Sequence, residues 1–210
     1  MIGAALEDLL GRARGPLGPP IDLDLGLESG PLAELGELLS RLNGFALFNA
    51  GVQVFQAGGQ GPGPELMAWN TDTTWKNTYG TLADDVFCFG QDLFGVQFGI
   101  VANAQVVTFN PETAERIALG PGLADWAAWL LADPDVNGAA TFARSYQDQH
   151  GPLAPGQRLI PLRYFVGGGE YDFDNLVVRD AAQAMRIRGP IARQVHDLPD
   201  GAVIRLSASE

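Results

Sequence analysis

The chain has 210 residues, 46% of them hydrophobic and 18% charged, a balance that suits a folded domain with a sizeable core and excludes a disordered segment. Its net charge is −12, with 17 acids and 5 bases in residues 1–140 and 8 of each in residues 141–210, which argues against nucleic acid as a partner because phosphate recognition needs clustered Lys and Arg. No apolar run approaches the roughly 18 residues of a membrane span, and the single cysteine, Cys88, excludes an internal disulfide framework or a multi-cysteine zinc site.

In chain order, Leu6, Leu9 and Leu10 stand at helical spacing and predict a short helix over residues 2–13. Glu7 and Asp8 interrupt its apolar character and no basic stretch leads it, so the sequence reads as cytoplasmic rather than secreted. GPLGPP (15–20) starts a loop. A second helix opens at Pro31, carries a stripe of Leu32, Leu35, Leu38, Leu39 and Leu42, and stops at Asn43-Gly44. FALF and VQVF then read as short strands, followed by a flexible or lid-like loop over residues 56–64. The stretch AWNTDTTWKNTYG is expected to be irregular or one helical turn.

Three strands follow, over Val86–Phe89, Val96–Val101 and Gln105–Phe109, with Gly90-Gln91-Asp92 read as the turn between the first two. Asn110-Pro111-Glu112-Thr113 is a turn and ERIALG the returning strand. Leu123, Trp126, Ala127, Leu130 and Leu131 share one face of a helix ending near Asp133-Pro134, with Trp126 in the core and Trp129 partly exposed. AATFARSYQDQHG predicts another helix. The last segment reads as strand (NLVVRD), helix (AAQAMRIRG) and final strand (AVIRL). The expectation is an α+β fold, with a mainly antiparallel twisted sheet flanked by helices and a C-terminal strand–helix–strand extension.

LLSRLNGFALFNAGVQVF (38–55) resembles the helix–Asn-Gly–strand–strand signature of the SUKH superfamily, which includes fungal cell-wall-assembly regulators and many bacterial immunity proteins. FGQDLFGVQFGI (89–100), VVTFNPETAERIALG (106–120) and GLADWAAWLLADP (122–134) are similar to its later landmarks, in order. The resemblance covers residues 30–135 or thereabouts. It implies one domain over 1–210, with a SUKH-like core at about 30–135 and an extension at about 145–210. It also implies function by contact. Such a protein binds a cognate toxin, often a nuclease, and occludes it. A scaffold or regulatory module without a toxin is the alternative.

Catalytic chemistry finds little footing. A Cys88–His196–Asp197 triad can be written on paper, but Phe87-Cys88-Phe89 reads as a strand with a small buried thiol, and His196 stands in a loop, as does His150 before Gly151-Pro152. VGGGEYDFDN (166–175) offers Glu170, Asp172, Asp174 and Asn175 as oxygen donors. An EF-hand counted from Asp172 puts Gln183 where the bidentate glutamate belongs, so the stretch reads as a turn. No catalytic residue, cofactor or metal is assigned. The expected partner is a cognate protein toxin, with neither nucleic acid nor membrane, and the chain is expected to be a monomer or homodimer. Asp72, Asp84, Asp85, Asp92 and Gln97, polar residues near the central strands, are the candidate contacts. The acidic excess would steer a basic partner.

Overall fold

The computed structural model describes residues 3–199, 201 and 202. It has an α+β fold built on an antiparallel six-stranded sheet. The strands are β1 (Phe45–Leu47), β2 (Val52–Val54), β3 (Val86–Asp92), β4 (Gln97–Val101), β5 (Gln105–Phe109) and β6 (Arg116–Gly120), and they lie in sequence order. Each strand therefore pairs with its chain neighbours, and among the described residues β6 ends the sheet. In β4 the pleat puts Phe98 and Ile100 on one face and Gln97 and Gly99 on the other, and both faces are buried.

On one face of the sheet α4 (Leu123–Ala132) packs against β5 and β6, and α1 (Ala4–Gly11) and α2 (Pro31–Arg41) pack against α4. Trp126 of α4 meets Phe89 and Phe98 edge-on, with ring centroids 5.2 and 5.7 Å away, while half-buried Trp129 reaches Phe98 at 6.2 Å. The two indoles thus divide as their three-residue spacing predicts. The α2 start is held from outside, where Asn103 Oδ1 accepts the Leu32 amide at 2.9 Å, and Glu34 returns the service to α4 by accepting the Leu123 amide at 2.7 Å. Gly44, at φ 69°, supplies the left-handed stop expected after α2.

The opposite face carries α3 (Leu66–Trp69) and a 3₁₀ segment, Lys76–Ala83, kinked at Gly80. Trp69, Trp75, Tyr79 and Phe109 form a chain of ring contacts there, with Tyr79 perpendicular to Trp75 at 5.2 Å. Close approach of the strands needs Gly99, because a Cβ there would stand 2.3 Å from Val86 Cγ1.

After α4 come α5 (Pro134–Gly138), α6 (Ala140–His150), β7 (Gln157–Pro161), β8 (Leu176–Asp180) and α7 (Ala181–Val195). β7 and β8 form a separate antiparallel pair, and α7 packs on the 3₁₀ segment. A second, smaller core gathers Leu93, Ala143, Tyr146, Leu159 and Leu176.

Three points of the sequence reading need correction. Gly90-Gln91-Asp92 is not the turn: β3 continues through Asp92, a bulge near Phe89 shifts its register, and the chain reverses at Leu93–Gly95. β7 and α5 have no counterpart in the sequence reading. Helix α7 does not stop at Gly189 but runs through Pro190 to Val195. The lost backbone bond at Pro190 is outweighed by the buried stripe that continues through Ile191, Ala192 and Val195. The final strand AVIRL falls at residues 202–206, of which only Ala202 lies within the described residues.

Candidate functional site

Among the described residues, strand β6 bonds to β5 on one side and to no other strand, and Arg116, Ile117 and Ala118 are exposed along it. An edge strand with its backbone groups free is a template for pairing or contact, and natural chains protect such edges with charge. Here an open groove of about 840 Å³ runs beside β6, lined by Thr81, Leu82, Asp84, Asp85, Ala114, Glu115, Arg116, Ile117 and His196. The 3₁₀ segment delivers Asp84 and Asp85 to one wall, the β5–β6 turn and β6 form the other, and His196 at the end of α7 closes one end.

The groove is clamped by one bidentate contact. Arg116 donates from Nη1 to Asp85 Oδ2 at 2.8 Å and from Nη2 to Asp85 Oδ1 at 2.6 Å, with a further bond from Nη2 to the Leu82 carbonyl at 2.7 Å. The guanidinium hydrogen bond holds the Asp85 carboxyl below the usual range. Among the described residues Asp84 is exposed and in no ion pair, and Glu115 accepts only from nearby Thr113 at 3.1 Å. Three carboxylates against one guanidinium give the groove a negative rim. His196 Nδ1 lies 2.7 Å from the Thr113 carbonyl, which can only accept, so that nitrogen is the donor of the contact. Ile117, 67% exposed, puts a large apolar side chain in the middle of this rim.

The structure brings Asp84 and Asp85 together and separates the other candidates. Asp72 is exposed in the loop after α3, outside the groove. Asp92 is half-buried and turned to its own backbone: Oδ1 accepts the amides of Phe94 at 2.9 Å and Val96 at 2.8 Å, so it shapes the β3–β4 turn. Burial pushes its carboxyl up to about 6, against the pull of those amides and of Arg158 and Arg188. Gln97 is fully buried and cannot reach a partner surface. It belongs to a row of glutamines, Gln53, Gln91 and Gln97, directly opposite one another on β2, β3 and β4. Gln91 donates to Gln53 at 3.1 Å, and Arg158 of β7 also donates to Gln53. A polar residue in a strand reads as facing solvent, but Gln97 stands among buried amides that satisfy each other, whereas Asp92 spends its carboxylate on the turn backbone.

Sequence reasoning missed Glu115, Arg116 and Ile117. ERIALG identifies a strand, but its exposure depends on its place at the end of the sheet, for which the local pattern carries no signal. Of the groups considered for catalysis, Cys88 is fully buried and burial pushes its thiol up to about 12. His196 stands in the groove, where Cys88 is not a lining residue. His150 stacks on Tyr146 at 4.3 Å. In the 166–175 stretch, Asp172 accepts the Asn175 amide at 2.8 Å, and Asn175 Nδ2 donates to the carbonyls of Arg163 and Glu170 at 3.0 and 2.9 Å. Those bonds close a turn leading into β8. Among the described residues no group of three or more His, Cys, Asp and Glu is placed to hold a metal ion, and no helix is long and apolar enough to cross a membrane.

No protein-family model and no curated protein matches the chain. Among solved structures it is similar to the crystal structure of Atu4351 from Agrobacterium tumefaciens, with a TM-score of 0.54 and 15% identity, over 90% of this chain and 81% of that one. At that identity the likeness is one of fold.

Proposed function

We propose that this protein is a non-catalytic, intracellular immunity protein of the SUKH type, which binds a basic protein toxin, a nuclease being one candidate, and occludes it. The observation that carries the reading is the groove beside β6. Asp84, Asp85 and Glu115 ring the exposed Ile117 on a strand edge with no partner strand among the described residues. A desolvatable apolar centre inside a charged rim is the usual anatomy of a protein-binding patch. Its negative sign suits a basic partner, and the excess of acids in residues 1–140 would accelerate encounter. The four stretches that resemble SUKH landmarks add support, since they form α2–β1–β2, the β3–β4 pair, the β5–β6 hairpin and α4.

The test is co-expression with the product of the neighbouring gene. A one-to-one complex that silences a toxic product, and that Ile117→Asp disrupts, is the expected result. A product that is harmless, or toxic yet neither bound nor silenced, ends this reading.

A further inference from the structure

The β5–β6 turn has two sides. Ala114 and Glu115 line the groove, whereas Asn110, Pro111, Glu112 and Thr113 line a second, more enclosed cavity of about 200 Å³. Its walls are largely apolar. Phe165 and Tyr171 stack at 3.8 Å, and Phe94 stands nearly perpendicular to both, 5.9 and 5.0 Å away, with Val96 and Val166 completing the lining.

Two buried ionisable groups line this apolar space. Glu112 is 2% exposed; its Oε2 accepts the Val166 amide at 2.9 Å, while its Oε1 has no hydrogen-bond partner among the described residues. Arg188, from α7, is 1% exposed. Its Nε donates to the Ala184 carbonyl at 3.0 Å and its Nη1 to the Phe94 carbonyl at 2.6 Å, but among the described residues Nη2 meets only the Met185 sulfur at 3.9 Å. Burial raises the Glu112 carboxyl, with the Val166 amide and Arg188 pulling the other way, and burial lowers Arg188. A buried acceptor without a partner is costly to maintain, and an under-used guanidinium lines the same cavity.

These two groups select the guest. An anion would be repelled by Glu112 and a cation by Arg188. A neutral group that donates to one and accepts from the other satisfies both, and a hydroxyl does so with a single atom. The aromatic walls favour a flat ring, and the volume admits one ring rather than a nucleotide. We propose that this cavity binds a single neutral, hydroxyl-bearing ring between Glu112 and Arg188, and that its occupant is a tyrosine side chain of the protein partner. Tyrosine is a frequent anchor of interfaces because it combines a large apolar face with a polar tip, and this cavity shares its turn with the groove. The choice of occupant rests on the partner-binding role proposed above; the binding of the ring does not.

The experiment uses the free chain and p-cresol, with toluene and ethylguanidinium as comparisons, followed by NMR at the amides of Glu112, Thr113 and Val166. Saturable shifts are expected with p-cresol, at about ten-fold or more higher affinity than toluene. Glu112→Met should erase that preference. Because this variant also removes the bond to Val166, Tyr171→Ala serves as a second reading. Tyr171 is 58% exposed, so its loss should weaken both rings while keeping the preference for the hydroxyl. No saturable shift, equal affinity for toluene, or tighter binding of ethylguanidinium overturns the cavity assignment and leaves the groove untouched. With a toxin in hand, saturating p-cresol should weaken complex formation about ten-fold. Ring binding without such competition overturns the tyrosine occupant in favour of a free phenolic ligand, whereas failure to find a toxin leaves the ring-binding result standing.

Discussion

Trp69 donates its indole N–H to Gln97 Oε1 at 2.8 Å, joining α3 to the middle of the sheet through two buried side chains. Gln97 uses its own amide nitrogen on the Gly95 carbonyl at 2.8 Å and lies against Met185 Sδ at 3.6 Å. One side chain thus connects α3, the β3–β4 turn and α7. Replacing it with the apolar Gln97→Leu leaves a buried indole donor and the Gly95 carbonyl without these partners. The expected cost is about 2–3 kcal/mol, read as a lower urea midpoint with an unchanged slope. Asp72→Asn, on an exposed loop, should stay within about 0.5 kcal/mol of the parent protein.

The same residue shows what the sequence could and could not convey. Alternation, Pro31, Asn43-Gly44 and the leucine stripes located the sheet, α2 and α4, because those signals depend on neighbours within a turn or two. Gly90-Gln91-Asp92 imitates a turn by composition, but Gln91 is paired with Gln53, 38 positions away, and Gln97 with Trp69, 28 away. Local rules give such residues to solvent. Asn43 was legible as a helix stop, yet its side chain also holds Ala57 from both sides, accepting its amide at 2.8 Å and donating to its carbonyl at 2.9 Å. Asp84 and Asp85 could be picked out as acids near the strands. Ile117 could not, since exposure of that strand follows from the order of the whole sheet.

Asp92 makes stability depend on pH. Its folded value of about 6 lies above the unfolded value of roughly 3.9, so between those limits the folded chain holds the proton more tightly. The contribution is therefore fully present below about pH 4 and is lost as pH rises through about 6. At about 1.4 kcal/mol per unit, the loss is about 2–3 kcal/mol. Glu112, also raised by burial, acts in the same direction. Asp92→Asn keeps an oxygen for the Phe94 and Val96 amides and removes the titration. Urea midpoints from pH 4 to 7 should fall less steeply for the variant; parallel curves would refute the assignment.

Cys88 should be inert while the chain is folded. Its thiol is fully buried and shifted to about 12, so the thiolate is both scarce and inaccessible. Alkylation by iodoacetamide at pH 8 should proceed only through unfolding, with a rate that rises with urea in step with the unfolded fraction. Rapid native-state labelling would restore the cysteine as a candidate nucleophile.

The groove should be felt in the rate of association with the proposed basic partner more than in stability. Asp84 and Glu115 are exposed, and neither bears on the core, so Asp84→Lys with Glu115→Lys should shift stability by no more than about 1 kcal/mol. Reversing two charges on the rim should slow association with a basic toxin about ten-fold at low salt and flatten its salt dependence, because steering acts over roughly a Debye length, about 10 Å at 0.1 M. Ile117→Asp should act differently. It places a charge where the apolar side chain would be desolvated, so the complex should dissociate faster, with an affinity loss of ten-fold or more. Stopped-flow kinetics at several salt concentrations separate the two effects. A rate indifferent to salt and to both rim substitutions would place the contact elsewhere on the protein and reduce the net charge to a matter of solubility.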